Sequence, residues 1–356
     1  SRATVPEDAG AYGALLHNKE VFESIVNSNA YATIAEMDAV KPGLEEMKKQ
    51  WEENTGNPAI KGIVDTILDG LSHEIFFYTD SRYAKFMEIY QQANAEGSVA
   101  MWMAAAEGGA PDQTAQLKGM LDVLANHTEE LQVPDMVIGL RVKDAEAAQG
   151  LVSFVKLMAG QQLAEAPAEI RDRFREETVG DVKLITFKLD GSMAPWHEIP
   201  FDELGEEGKY DSLIEKLKSM TIAVSMGVKD NFLLLSIGDN NEHIGQLGQG
   251  KGLAGRPEFA QLAAVDGKKL RSISYVSKEA AKLTTESAMA PAMTMLSAVP
   301  NLLPPEVDDM LRKRIEADAK ELAKDLEGEI PEAGAMLGAA TFSDRGFDTV
   351  TFNWTE

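Results

Sequence analysis

The chain has no cysteine among its 356 residues. That excludes disulfides, thiolate zinc sites and cysteine nucleophiles, and leaves the redox compartment unread. Basic residues are scarce, 34 against 58 acids, for a formal charge of −24. No basic stripe breaks the acidity. Such a surface repels phosphate backbones and anionic membrane faces, so nucleic acid is not an expected partner. The acidity reads as a solvated face that favours solubility. Runs of 18 consecutive apolar residues are also lacking, so no transmembrane segment is expected. No signal-peptide pattern occurs, and the first residue is Ser1 rather than Met. The expectation is a trimmed or mature form, with any targeting or envelope-anchoring residues before Ser1. Hydrophobic residues make up 44% and charged residues 26%, a composition that folds and buries a core without staples.

What is present is a repeated unit. Three segments pass from an apolar strand through an N-cap residue type into a helix: Val5–Val26, Val133–Val155 and Lys269–Ser287. Their caps are Asn18, Asp144 and Ser277. The spacing is too wide for a solenoid and fits a duplicated or triplicated building block. Further strands are expected at 73–80, 98–106 and 181–189, and a hairpin at 220–237 around Lys229-Asp230. A second hairpin is expected around Arg345-Gly346. Helices are expected at 43–54, 59–71, 81–94, 113–130, 211–218 and 305–327, with Asp239 capping a short one. Strands and helices do not alternate strictly. The predicted class is therefore α+β: largely antiparallel sheets with packed helices, internally repeated strand–helix units and two lobes, 1–130 and 131–356.

Local signatures of chemistry fail on spacing or on a required residue. Gly250 to Gly255 matches G-x-G-x-x-G, but the preceding strand ends near Ile237, too far away for a dinucleotide site. Gly245 to Lys251 reads as a partial P-loop with Gly252 in place of the magnesium-ligating hydroxyl. Ser153 and Lys156 match S-x-x-K, yet lie mid-helix. The five histidines (His17, His73, His127, His197 and His243) form no metal motif. Asp239-Asn240-Asn241 begins like a calcium loop and lacks its glycine. No catalytic, cofactor or metal residue is assigned, and no cofactor is expected. The candidate ligand-binding residues are Trp196 and His197, on an irregular loop where functional residues tend to sit, and Trp102 in Met101-Trp102-Met103.

The opening Val5-Pro6-Glu7-Asp8, the hairpin Asp230 to Ile237, the helix start Leu253 to Phe259 and the closing GAATFSDRGFDTVTFNW resemble a domain-of-unknown-function family of exported bacterial proteins. Asn231 stands where that family has Gly. The resemblance implies an α+β repeat fold and an extracytoplasmic location, periplasmic or secreted, and transfers no catalytic residue. The resulting expectation is an exported, non-enzymatic binding or envelope-associated protein, its partner an unknown small molecule or protein. One alternative is a hydrophobic-ligand or lipid carrier, with an inter-lobe groove lined by Met and aromatic residues such as Met289, Met293 and Met295. The other is a hydrolase assembled from distant residues around His197.

Overall fold

Ten strands form one antiparallel sheet, in a computed structural model that describes residues 1–106, 112–199, 201–206, 208–283, 296, 299, 307–329, 333–343 and 346–354. The strands are β1 (Ala11–Leu15), β2 (Ile75–Thr79), β3 (Met136–Arg141), β4 (Phe174–Val179), β5 (Val182–Asp190), β6 (Thr221–Lys229), β7 (Phe232–Gly238), β8 (Leu270–Val276), β9 (Met336–Ser343) and β10 (Gly346–Asn353). Their spatial order is β10-β9-β8-β1-β2-β3-β7-β6-β5-β4. The α+β class with antiparallel sheet is as expected. Strands from both sides of residue 130 share this sheet, with β1 and β2 well inside it.

The repeated units occupy β1, β3 and β8. Because every neighbouring pair is antiparallel, β1 and β3 run in the same sense and β8 runs opposite. The third copy is therefore inverted relative to the first two. Two of the three caps act as such. Asp144 accepts from Glu146 N and Ala147 N at the start of α7 (Ala145–Leu163), and Ser277 Oγ accepts from Ala280 N. Asn18 does not; it is the first residue of α1 (Asn18–Val26), and His17 precedes it in the left-handed region with no side-chain cap.

Further helices among the described residues are α2 (Asn29–Ala35), α3 (Lys41–Thr55), α4 (Pro58–Ser72), α5 (Arg82–Ala106), α6 (Gln113–Asn126), α8 (Ala168–Arg171), α9 (Phe201–Leu204), α10 (Asp211–Ser219), α11 (Glu242–Gln246) and α12 (Asp309–Glu329), and residues 278–283 after Ser277 are helical too. The strand expected at 98–106 is helix, the second half of α5. Its Ala- and Met-rich run has no alternation, and strong helix formers let the helix propagate through it. Gly97 and Gly119 let α5 and α6 approach closely. A Cβ on Gly97 would lie 2.8 Å from Gln116 O, and one on Gly119 3.1 Å from Gly97 Cα. The β6–β7 turn falls one residue later than expected: Asp230 and Asn231 both adopt positive φ, as a two-residue hairpin requires. The first residues of the helix expected at 305–327 lie outside the described residues.

Side-chain alternation gives the sheet two faces. One carries Tyr12, Phe76, Tyr78, Val137, Leu184, Leu234, Ile273, Tyr275 and Leu337, all buried. The amino-terminal segment and residues 241–265 cover it, contributing Val5, Ile244, Leu247, Leu253 and Phe259. On the other face, α4 and α7 pack over Leu140, Leu233 and Val228. A separate helical cluster joins α5, α6, α9 and α10 through Ile89, Leu121, Leu204, Tyr210 and Leu213.

Candidate functional site

The buried face contains a polar row. Ser236, Ser225 and Thr186 sit at paired positions on β7, β6 and β5, and none is more than 2% exposed. Buried hydroxyls need partners. Asn241, just before α11, supplies them for Thr186 and Ser225. Its Nδ2 donates to Thr186 Oγ1 at 2.9 Å, and Ser225 Oγ donates to its Oδ1 at 2.6 Å. Thr186 and Ser225 lie 3.0 Å apart, which closes a ring with every donor running in one direction. The second Nδ2 proton goes to Glu177 Oε2 at 2.7 Å. A carboxylate only accepts, so this contact fixes the amide orientation. Burial pushes the Glu177 carboxyl up, but hydrogen bonds from Lys188 and Asn241 and the Lys188 and Arg175 charges outweigh it and hold it below the ordinary Glu value. A carboxyl depressed on folding adds stability above its unfolded pKa, near 4.3 for Glu, and loses it as pH falls through the folded value. Glu177→Gln is therefore expected to lack part of the acid-side loss of stability below about pH 4.3, in urea titrations across pH.

His243 sits in the same row. Its Nε2 is 2.5 Å from Ser236 Oγ, and its Nδ1 is 3.1 Å from Asp135 Oδ1. The second contact is close but not aligned, and neither atom makes a hydrogen bond in it. Asp135 also pairs with Arg82 at 2.6 Å, and Arg82 holds Asp80 and Asp239. Ser–His–Asp order is that of an acyl-transfer triad. Two observations oppose that chemistry here. Ser236 and His243 are 2% and 4% exposed. β7 is also paired on both sides, so the backbone N–H groups beside Ser236 belong to ladders and form no oxyanion hole. The row instead locks residues 241–247 onto the sheet. Gly238 makes room for it, since a Cβ there would lie 2.4 Å from Asp135 Oδ1.

The expected ligand residues do not form one cluster. Trp196 is half-buried, donates its indole N–H to Gly191 O at 2.8 Å and stacks on Phe201. Phe201 in turn contacts Tyr210, whose hydroxyl donates to Asp122 on α6. These contacts anchor the loop. The His197 side chain lies outside the described residues. Trp102 is 63% exposed on α5, and among the described residues it shares no ring contact with Trp196.

The sequence motifs resolve into scaffold. Ser153 Oγ donates to Gln149 O, and Lys156 pairs with Glu176. In the Gly-rich loop, the N–H groups of Gly248, Leu253 and Ala254 donate to Thr4, Val5 and Arg2 carbonyls, so they are not free to cradle phosphate. Gly252 has φ 61°, and a Cβ on it would strike Ala3 O at 2.6 Å. Asp239 pairs with Arg82 rather than capping a helix; Asn240 Oδ1 accepts from Glu242 N instead.

The second sheet face carries the other candidate. Beyond the part covered by α4 and α7, Ile138 pairs with Leu235, Ile237 with Val224, and Ile222 with Leu189. These six side chains are each 37–41% exposed. The positions that join them, Met136, Met226 and Phe187, are apolar too. Tyr83, in the first turn of α5, packs edge-on against Phe77 beside the patch. A cleft of about 290 Å³ between α4 and α7, lined by Gly62, Ile63, Thr66, Gly150, Leu151 and Phe154, adds apolar surface. Its one hydroxyl, on Thr66, is taken up by Gly62 O.

Comparison with protein-family profiles, curated proteins and solved structures found no match. The functional reading therefore rests on this geometry. Sequence reasoning missed the aliphatic patch because NFLLLSI is apolar at successive positions, which hides which face is open. Met289, Met293 and Met295 lie outside the described residues.

Proposed function

We propose that the protein is a non-enzymatic binding protein that takes a hydrophobic ligand with an aliphatic chain on the open face of its sheet. One observation carries the proposal: six contiguous aliphatic side chains, uninterrupted by charge, stand two-fifths exposed on a chain of charge −24. Contiguous apolar patches on otherwise polar surfaces mark binding sites. Ile, Leu and Val lining suits a saturated chain better than an aromatic plane. An extracytoplasmic, envelope-associated setting belongs to the same proposal; the family resemblance supports it.

The test is a titration with cis-parinaric acid, followed by fluorescence. Saturable binding is expected, displaced by unlabelled fatty acid. Leu235→Asp and Val224→Asp lie at half-exposed positions, so the fold should survive, as circular dichroism can verify. Each is expected to weaken binding at least about tenfold, since losing one buried aliphatic contact is worth roughly 1.5–3 kcal/mol. Absence of saturable binding, or binding indifferent to both variants, rejects the proposal.

A further inference from the structure

The two edges of the sheet differ. β4 carries Arg175, Glu176 and Glu177, with Arg175–Glu177, Lys156–Glu176 and Lys188–Glu177 ion pairs along it. Charge of this kind protects an edge from pairing with another chain. β10 is eight residues long, GFDTVTFN, with Asp348 as its only charge. It pairs with β9 on one side, and Phe347, Asp348, Thr349, Thr351 and Asn353 are exposed. Threonine and valine at its centre favour strand pairing.

We infer that β10 is the interface at which two copies of this chain join antiparallel, continuing the sheet across a twofold axis. Isologous antiparallel pairing keeps each sheet face on the same side, so paired residues must share a face. Three registers can be compared by charge. A dyad at Asp348 sets the two carboxylates opposite each other. A dyad at Thr349 leaves them two residues apart, about 7 Å along the strand. A dyad at Val350 leaves them four residues apart, about 14 Å, beyond the screening length of about 10 Å at 0.1 M salt. The Val350 register also pairs Thr349 with Thr351 of the second copy twice, and such cross-strand threonine pairs stabilise sheets. It sets Val350 against its own mate on the face where Val350 and Phe352 already pack against the core, with Asp348, on the same face, opposite Phe352 of the second copy.

The charge of −24 on each copy opposes association at long range. Screening should relieve it, so dimerisation is expected to strengthen as salt rises from about 0.01 M to about 1 M, where the Debye length falls from about 30 to about 3 Å. Sedimentation velocity on the full chain reads this directly. The doubly substituted Thr349→Lys, Thr351→Lys chain sets like charges opposite each other at exposed positions, and should weaken the dimer at least tenfold while the monomer stays folded. Asp348→Asn should tighten it. Hydrogen exchange supplies a second readout, with protection of residues 347–353 rising with protein concentration. A wild-type chain that stays monomeric at high salt overturns the inference. So does a dimer that the two lysines leave unchanged. Neither outcome bears on ligand binding by the open face.

Discussion

Gly139→Ala is expected to destabilise the protein by about 2–3 kcal/mol in the intact chain, and by almost nothing once Phe76 has been cut to alanine. Gly139 on β3 lies directly opposite Phe76 on β2 and opposite Leu234 on β7. The Phe76 ring lies across the glycine so closely that a Cβ there would fall 2.0 Å from its Cε1. Phe76 is fully buried and meets Phe232 edge-on, with ring centroids 5.0 Å apart. It therefore cannot yield by turning into solvent; the added methyl must move the ring, the strands or both. Phe76→Ala alone should cost about 3–5 kcal/mol, from lost transfer energy and the cavity left behind. In that background the alanine methyl enters the space the ring has left. Alanine also loses less backbone freedom than glycine on folding. A double-mutant cycle from urea midpoints should show a coupling of about 2–3 kcal/mol between the two sites. Additive costs would mean that the ring does not depend on the glycine.

The same pair shows what was legible in the sequence. HEIFFYTD and the run around Gly139 read as strands from their apolar, β-branched and aromatic residues, and the hairpin at 220–237 from two apolar runs flanking Lys229-Asp230. Asp144 and Ser277 announced their helices because a cap is a local hydrogen bond between residues two or three apart. The α+β class followed from element order. Features that depend on contacts distant in sequence stayed hidden. β4 was missed because FREETV, a charged edge strand, lacks an apolar alternation. The inversion of the third repeat is a property of strand order, which no local pattern encodes. His243 carried no metal or catalytic spacing; its partners, Ser236 and Asp135, are brought to it by β7 and by the start of β3. Trp196 drew notice as a loop aromatic, yet its indole proton is committed to Gly191 O and its ring to Phe201 of α9. The open aliphatic face was hidden for a different reason: strands apolar at successive positions give no sign of which face is left uncovered.

The largest single-residue penalty outside the apolar core is expected at Asn241. Asn241→Asp changes almost no volume, yet it reverses the hydrogen-bond logic of the buried ring. The amide donates to Thr186 and Glu177 and accepts from Ser225. An ionised carboxylate accepts from Ser225 but donates to neither of the others, and it faces Glu177 charge to charge. Breaking a buried, satisfied polar arrangement in this way should cost about 3–5 kcal/mol at pH 7. Burial and the Glu177 charge would both raise the pKa of the new carboxyl above its unfolded value, near 3.9 for Asp. For an acid with a raised folded pKa, the penalty is full above that pKa and fades as pH falls through it. Once protonated, the carboxyl can again donate to Glu177, which stays ionised to lower pH because its own pKa is depressed. The gap to wild type should therefore narrow as pH falls toward about 4. Asn241→Ala removes the same hydrogen bonds without adding a titratable group, so its gap should not narrow over that range. Urea midpoints for the three proteins at a series of pH values separate the outcomes. If Asn241→Asp tracks Asn241→Ala at every pH, the amide is not the donor that holds Glu177 and Thr186 in place.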